Sequence, residues 1–252
     1  MALTTRVPRH RIRLIGGLLG VWLAWGASAP AATVTGNVAL VGTDGRAPKK
    51  RDYSGVVVWL EPVGGTPRPA SSPSSPPKQA TMEQRNKAFV PHVLAVEVGT
   101  AVDFPNHDPI EHNAFSNHDG QVFDVHLYAP QTSRRVVFRR PGIVRVFCNI
   151  HETMSGVVAV LQTPYFAVSS AGGRFEIQAP AGEYTLRFWD ERSQPDAVGK
   201  LARRVTIGAE NLALPETQVV AADQPLPPHP NKYGREYPQR PEDRAFYPGA
   251  RR

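Results

Sequence analysis

Residues 147–154 read Phe147-Cys148-Asn149-Ile150-His151-Glu152-Thr153-Met154, which spaces a thiol, an imidazole and a thioether as C-x2-H-x2-M. Residues 143–147 before it read as a strand ending at Cys148, and 156–161 after it as the returning strand. Residues 149–155 then form a tight loop between two neighbouring strands. Short strands of this kind, bounded by Gly and Pro, recur along the chain and point to an all-β sandwich. Cys148 is the one cysteine of the sequence. An unpaired cysteine in an exported chain is a core residue, an intermolecular partner or a metal ligand. The histidine and methionine at ligand spacing favour the last.

Two imidazoles and a thiolate in a trigonal set, with a weak thioether on the axis, suit copper in both of its common oxidation states. The loop offers Cys148, His151 and Met154. The second histidine must come from elsewhere, and Glu111-His112-Asn113 lies upstream to provide His112. The expected metal set is therefore His112, Cys148, His151 and Met154, holding one copper ion per chain. Glu111 and Glu152 are alternative oxygen donors in place of Met154, which would give a red site. His107, His118 and His126 read as ordinary surface or loop histidines, and His92, beside Pro91, as structural. Trp59 and Trp189 read as core aromatics.

Further strands are expected over 33–41 and 55–60, as an early pair, and over 88–98, 101–104, 122–127 and 134–138. Residues 64–80 are rich in Pro and Ser and read as a loop within the first domain, 32–162. Gly172-Gly173-Arg174-Phe175-Glu176-Ile177 and Pro180-Ala181-Gly182-Glu183-Tyr184-Thr185-Leu186 mark turn, strand, turn, strand. With a strand over 201–207, they define a second small β-domain over 163–222. Residues 223–252 hold many prolines without apolar period and read as a disordered basic tail.

The N-terminus is a separate element. Arg6, Arg9, Arg11 and Arg13 precede a short apolar run over 14–25 and a small-residue stretch, the pattern of a signal peptide over 1–31. An uncleaved anchor is the alternative, although the run is short for a membrane span. The formal charge is +7. Residues 1–31 contain those four arginines and no acid, so the remainder carries +3. Residues 224–252 account for that excess and leave the body near neutral. No basic folded face is implied, so no nucleic-acid partner is expected. The tail could touch anionic lipid or an acidic partner.

At this point a resemblance is specific. Residues 147–158 (FCNIHETMSGVV), with Glu111-His112-Asn113 upstream, resemble the cupredoxins of the plastocyanin and amicyanin type, with the short loop closer to amicyanin. Gly99-Thr100, Phe104-Pro105-Asn106 and Pro141-Gly142 sit where that family has them, and the likeness covers about residues 82–162. It implies a Greek-key β-sandwich, type 1 (blue) copper, a periplasmic location, and one-electron transport between redox protein partners. It also implies Asn113 as the residue that braces the ligand loop by hydrogen bonds. Ile150 stands where the family usually has proline. The surroundings of Met82, Asn86, Phe89, Pro91 and His92 resemble bacterial plastocyanin-like proteins labelled methylamine-utilisation proteins. Residues 172–207 resemble the carboxypeptidase regulatory-like, carbohydrate-binding-like sandwiches of transthyretin type.

Function follows as single-electron carriage, with His151 as the exit for the electron. The alternatives are a copper carrier or sensor, and a cell-envelope interaction module with a structural copper site. An enzyme is not expected. No H-x-H pair is present for a trinuclear copper centre, one cysteine cannot bridge two coppers, and no G-x-S-x-G elbow occurs.

Overall fold

The computed structural model describes residues 31–48, 50–64, 78–117, 120–222 and 228–237. Most of the expected signal peptide, residues 65–77 of the Pro/Ser-rich loop, His118, and residues 223–227 and 238–252 of the tail lie outside the described residues. No helix among the described residues is long and apolar enough to cross a membrane.

The regular secondary structure of the described chain is almost all strand. In order it forms β1 (Ala32–Val41), β2 (Val57–Pro62), β3 (Gln79–Thr81), β4 (Glu83–Arg85), β5 (Ala88–Val90), β6 (Val93–Glu97), β7 (Ala101–Pro105), β8 (Phe115–Ser116) and β9 (Phe123–Asp124). There follow β10 (Ser133–Val137), β11 (Gly142–Phe147), β12 (Ser155–Leu161), β13 (Phe166–Val168), β14 (Arg174–Ala179) and β15 (Gly182–Trp189). A short helix α1 (Pro195–Gly199) precedes β16 (Arg203–Ile207), β17 (Leu212–Ala213) and β18 (Thr217–Val220).

Strand pairing divides these into two sandwiches. In one, β6-β12-β11-β8-β9 faces β10-β7-β3 across a core that includes Phe104, Phe138, Val144, Val146, Cys148 and Met154. In the other, β13-β2-β15-β16 faces β14-β1-β17, with β18 also on β1. Its core includes Leu40, Leu60, Phe175, Ile177, Tyr184 and Leu186. The expected early pair of β1 with β2 does not form. β1 runs antiparallel to β14 with Val34 opposite Ile177, and β2 runs antiparallel to β15 with Leu60 opposite Leu186.

The expected boundary near residue 162 is corrected by this pairing. β1 and β2 belong to the second sandwich, one in each of its sheets, and the sandwich that contains Cys148 is inserted between β2 and β13. Strand periodicity shows which residues face a core. It does not show which distant strand completes the sheet.

Two apolar runs explain how the sandwiches stack. Val56-Val57-Val58-Trp59-Leu60 and Gly156-Val157-Val158-Ala159-Val160-Leu161 do not alternate, which is the mark of strands buried on both faces. In β12, Val158 and Val160 enter the core around Cys148, while Val157, Ala159 and Leu161 face the other way. Those three meet Val57 and Trp59 of β2 in a third apolar layer with Phe166 and Trp189. A fully buried valine contributes roughly 1.5–3 kcal/mol, so this layer joins the sandwiches firmly. By contrast β14 alternates strictly, with Phe175, Ile177 and Ala179 inward and its other face exposed.

Candidate metal centre

The loop between β11 and β12 closes on itself. The Cys148 amide donates to the Met154 carbonyl at 3.1 Å, and the Met154 amide donates to the His151 carbonyl at 3.2 Å. Ile150 packs into the same core as Cys148 and Met154. An apolar residue pinned inward here restrains the loop where a proline would restrain it by its ring.

His112 arrives from the segment between β7 and β8. It is held in a small backbone bridge with Tyr128, whose amide donates to the His112 carbonyl at 2.9 Å. The Tyr128 hydroxyl donates to the Phe104 carbonyl at 2.7 Å, which ties this bridge to β7. Burial raises the pKa of the Tyr128 hydroxyl, and the nearby Cys148 adds to the shift, so the phenol stays a neutral donor.

Three donor atoms converge. Cys148 Sγ lies 3.8 Å from His112 Nδ1 and 3.5 Å from His151 Nδ1. One nitrogen of each ring and the sulfur lie within 4.8 Å of one another, and the two rings meet edge to face at 4.9 Å. His112, Cys148 and Met154 are wholly buried, and His151 is 6 % exposed. His151 is therefore enclosed and does not form the open exit expected from sequence. Met154 shares the core with Cys148. Glu111 and Glu152 are exposed, and neither joins the cluster.

Sequence reading missed Asp108 as a positioning group. Its Oδ2 lies 2.7 Å from His112 Nε2. With that ring nitrogen engaged as a donor, Nδ1 keeps its lone pair for the space it shares with Cys148. Asp108 also accepts the amides of Asn86 and Lys87, at 2.6 and 2.8 Å, and its own amide donates to Asn106 Oδ1 at 3.0 Å. Burial pushes this carboxyl up. The hydrogen bonds from His112, Lys87 and Asn86 outweigh it and bring the pKa down to about 2. The four-residue spacing from Asp108 to His112 is visible in the sequence, but it does not show which way the carboxylate turns.

Asn113 behaves differently from the expectation. Its side-chain amide donates to Asp124 Oδ1 at 2.8 Å, and its Oδ1 has no partner among the described residues. Asp124 in turn accepts Lys232 Nζ at 2.7 Å, and the Lys232 amide donates to Asn149 Oδ1 at 2.9 Å. Asn113 thus reaches the ligand loop through residues of the tail. His107 lies near Glu83, His126 near Asp124, and His92 bridges the Ser155 carbonyl and Glu191 of the other sandwich. None of the three joins the cluster.

Two imidazoles and a thiol shut away from water, with the Met154 thioether buried in the same core, are chemistry that fits copper better than a hard cation. Comparison with known proteins finds partial likenesses. Over 59 residues, which are 23 % of this chain and 52 % of the relative, the sequence is 42 % identical to methylamine utilization protein MauL of Methylorubrum extorquens. The chain therefore spans about half the length of that curated relative. A purple cupredoxin from Nitrosopumilus maritimus is similar over 33 % of this chain and 99 % of its own, at 26 % identity and a TM-score of 0.30. An oxidised amicyanin variant is similar over 41 % of this chain and 98 % of its own, at 17 % identity and a TM-score of 0.32. No protein-family model matches the chain.

Proposed function

We propose that this protein is a single-electron carrier of cupredoxin type, exported to the periplasm, with His112, Cys148, His151 and Met154 holding one copper ion. The observation that carries this reading is the convergence of both Nδ1 atoms on the buried Cys148 sulfur, with Asp108 behind His112. Copper, when bound, supplies a one-electron couple that mixed imidazole and sulfur donors accommodate in both oxidation states.

The chain's own residues do the rest. Asp108 fixes the tautomer and ring orientation of His112. The closed loop from Cys148 to Met154 sets the positions of three donors over a few residues, so little has to reorganise when charge changes. The apolar walls, including Ile150, Phe104 and Val146, keep water from the sulfurs. Electrons come from and go to partner proteins rather than to a bound substrate, which is the chemistry of a carrier and not of an enzyme. The likeness to MauL supports a place in methylamine utilization, and the second sandwich serves as a module of carboxypeptidase regulatory-like type.

The test is reversible cycling. The full chain loaded with one equivalent of Cu(II) should accept one electron per chain from ascorbate and return it to ferricyanide over repeated rounds. Tight binding of Cu(I) with no reversible couple would reject electron carriage in favour of copper delivery.

A further inference from the structure

Residues 228–237 belong to the tail that sequence reading leaves disordered, yet they are built against the ligand loop. A tight turn forms them. The Asn231 side chain accepts the amides of Tyr233 and Arg235 at 2.9 and 3.1 Å, and the Gly234 amide donates to the Asn231 carbonyl at 2.9 Å. Gly234 takes φ +73°, the left-handed region that suits glycine in such a turn. Pro228 and Pro230 flank His229 and restrict the approach to the turn. His229 and Tyr237 are thereby brought together from its two sides, ring against ring at 5.6 Å and nearly perpendicular.

This segment bonds the ligand loop at several places. The Tyr237 hydroxyl donates to the Cys148 carbonyl at 2.7 Å. The His229 amide donates to the Glu152 carbonyl at 3.3 Å, and His229 Nε2 lies 3.3 Å from the Met154 carbonyl. The Lys232 amide donates to Asn149 Oδ1 at 2.9 Å. The His229 ring stacks on Phe147 with centroids 4.2 Å apart. Lys232 Nζ reaches Asp124, the partner of Asn113, and so ties the loop to the segment that carries His112. Burial makes the His229 imidazole less basic, and hydrogen bonds oppose this.

Resting on the reading of the site as a copper centre, we infer that residues 228–237 form a strap over that centre, with Tyr237 and His229 as positioning residues that hold Cys148 and Met154 in place. The strap braces the loop from outside, at the carbonyls of two donor residues, while Asp108 braces His112 from within. A hydrogen bond donated to the Cys148 carbonyl also places the positive end of a dipole close to the thiolate. That favours the more electron-rich state of the site, so its loss lowers the reduction potential. The strap also ties down the loop at the Cys148, Glu152 and Met154 carbonyls, so it slows the escape of the ion to competing ligands.

The experiment uses the full chain and four variants: Tyr237→Phe, His229→Ala, Lys232→Ala and, as a control, Tyr233→Ala, which changes an exposed ring of the same turn. Cu(I)-loaded protein is mixed with excess bicinchoninate and the rate of metal transfer is followed. Loss of a single net hydrogen bond predicts transfer faster by about fivefold for Tyr237→Phe, with at least as large a change for His229→Ala. Lys232→Ala should give a smaller increase, and Tyr233→Ala should match wild type. Tyr237→Phe should also lower the reduction potential without moving the unfolding midpoint of the metal-free protein. In the metal-free variants, amides of residues 148–154 should exchange faster while those of β14 and β15 do not change. Variants that match wild type in transfer, potential and exchange overturn the strap. A wild-type chain that holds no copper overturns the site reading instead, and exchange in the metal-free variants then decides the strap alone.

Discussion

Asp108 and His112 form a buried pair in which the carboxylate engages Nε2 at 2.7 Å and leaves Nδ1 facing the Cys148 sulfur. The pair converts a flexible ring with two equivalent nitrogens into a fixed donor. Its cost is low because the carboxylate takes two backbone amides from Asn86 and Lys87 as well, so the buried charge is satisfied on every side.

Replacing Asp108 by Asn should therefore weaken copper binding while the fold persists. Outer partners of metal-bound histidines are typically worth about 10–100-fold in affinity. Competition against a chelator of known affinity measures the change. Affinity equal to wild type would show that His112 needs no such support.

Gly173 tests the two-strand contribution of the N-terminal segment to the second sandwich. Its amide lies in the turn before β14, φ is +81°, and an added Cβ would meet the Val38 carbonyl oxygen of β1 at 2.0 Å. Gly173→Ala should cost about 2–4 kcal/mol through strain and displaced backbone, measured by urea unfolding of the metal-free protein. The loss of protection should centre on β1 and β14. A stability within about 0.5 kcal/mol of wild type would contradict the close approach of these strands.

The pair Asp103–Arg135 predicts a pH dependence. Arg135 grips the carboxylate with both nitrogens at 2.7 and 2.8 Å, linking β7 to β10. These bonds hold the Asp103 carboxyl below its ordinary 3.8, against some burial that raises it, with the Arg135 charge assisting. The unfolded chain then takes up the proton first, so the stabilisation is whole above about pH 5 and fades as pH falls below the ordinary value through the folded one. Asp103→Asn should lower the urea midpoint at about pH 6, and the gap from wild type should close near pH 2. A gap that is the same at both pH values would contradict this account.

The sequence made much of the site legible because its chemistry is local. Cys148, His151 and Met154 fall within one loop, and His112 stands beside residues of matching pattern. Asp108 was visible only as one of several polar neighbours, since nothing in the spacing shows that its carboxylate turns toward Nε2. Asn113 was expected at the loop and reaches Asp124 instead. The strand runs were legible from alternation and Gly-Pro punctuation, and the double-sided burial of β2 and β12 was written in their unbroken apolar runs. The partner of β1 was not, because β14 lies far along the chain and either neighbour satisfies a local pattern equally well. The strap was hidden for a related reason. Proline and charge in residues 228–237 describe a segment without a core of its own, and its order comes from hydrogen bonds to a surface formed by other residues.

The most direct measurement of the central claim is the visible absorption spectrum of the full chain loaded with Cu(II), beside that of Cys148→Ser. The account predicts an intense thiolate-to-copper band in the wild-type protein that bleaches with ascorbate and returns on oxidation, and no such band in the variant. A folded wild-type chain that takes up copper without that band, or a Cys148→Ser chain that keeps it, would contradict the account.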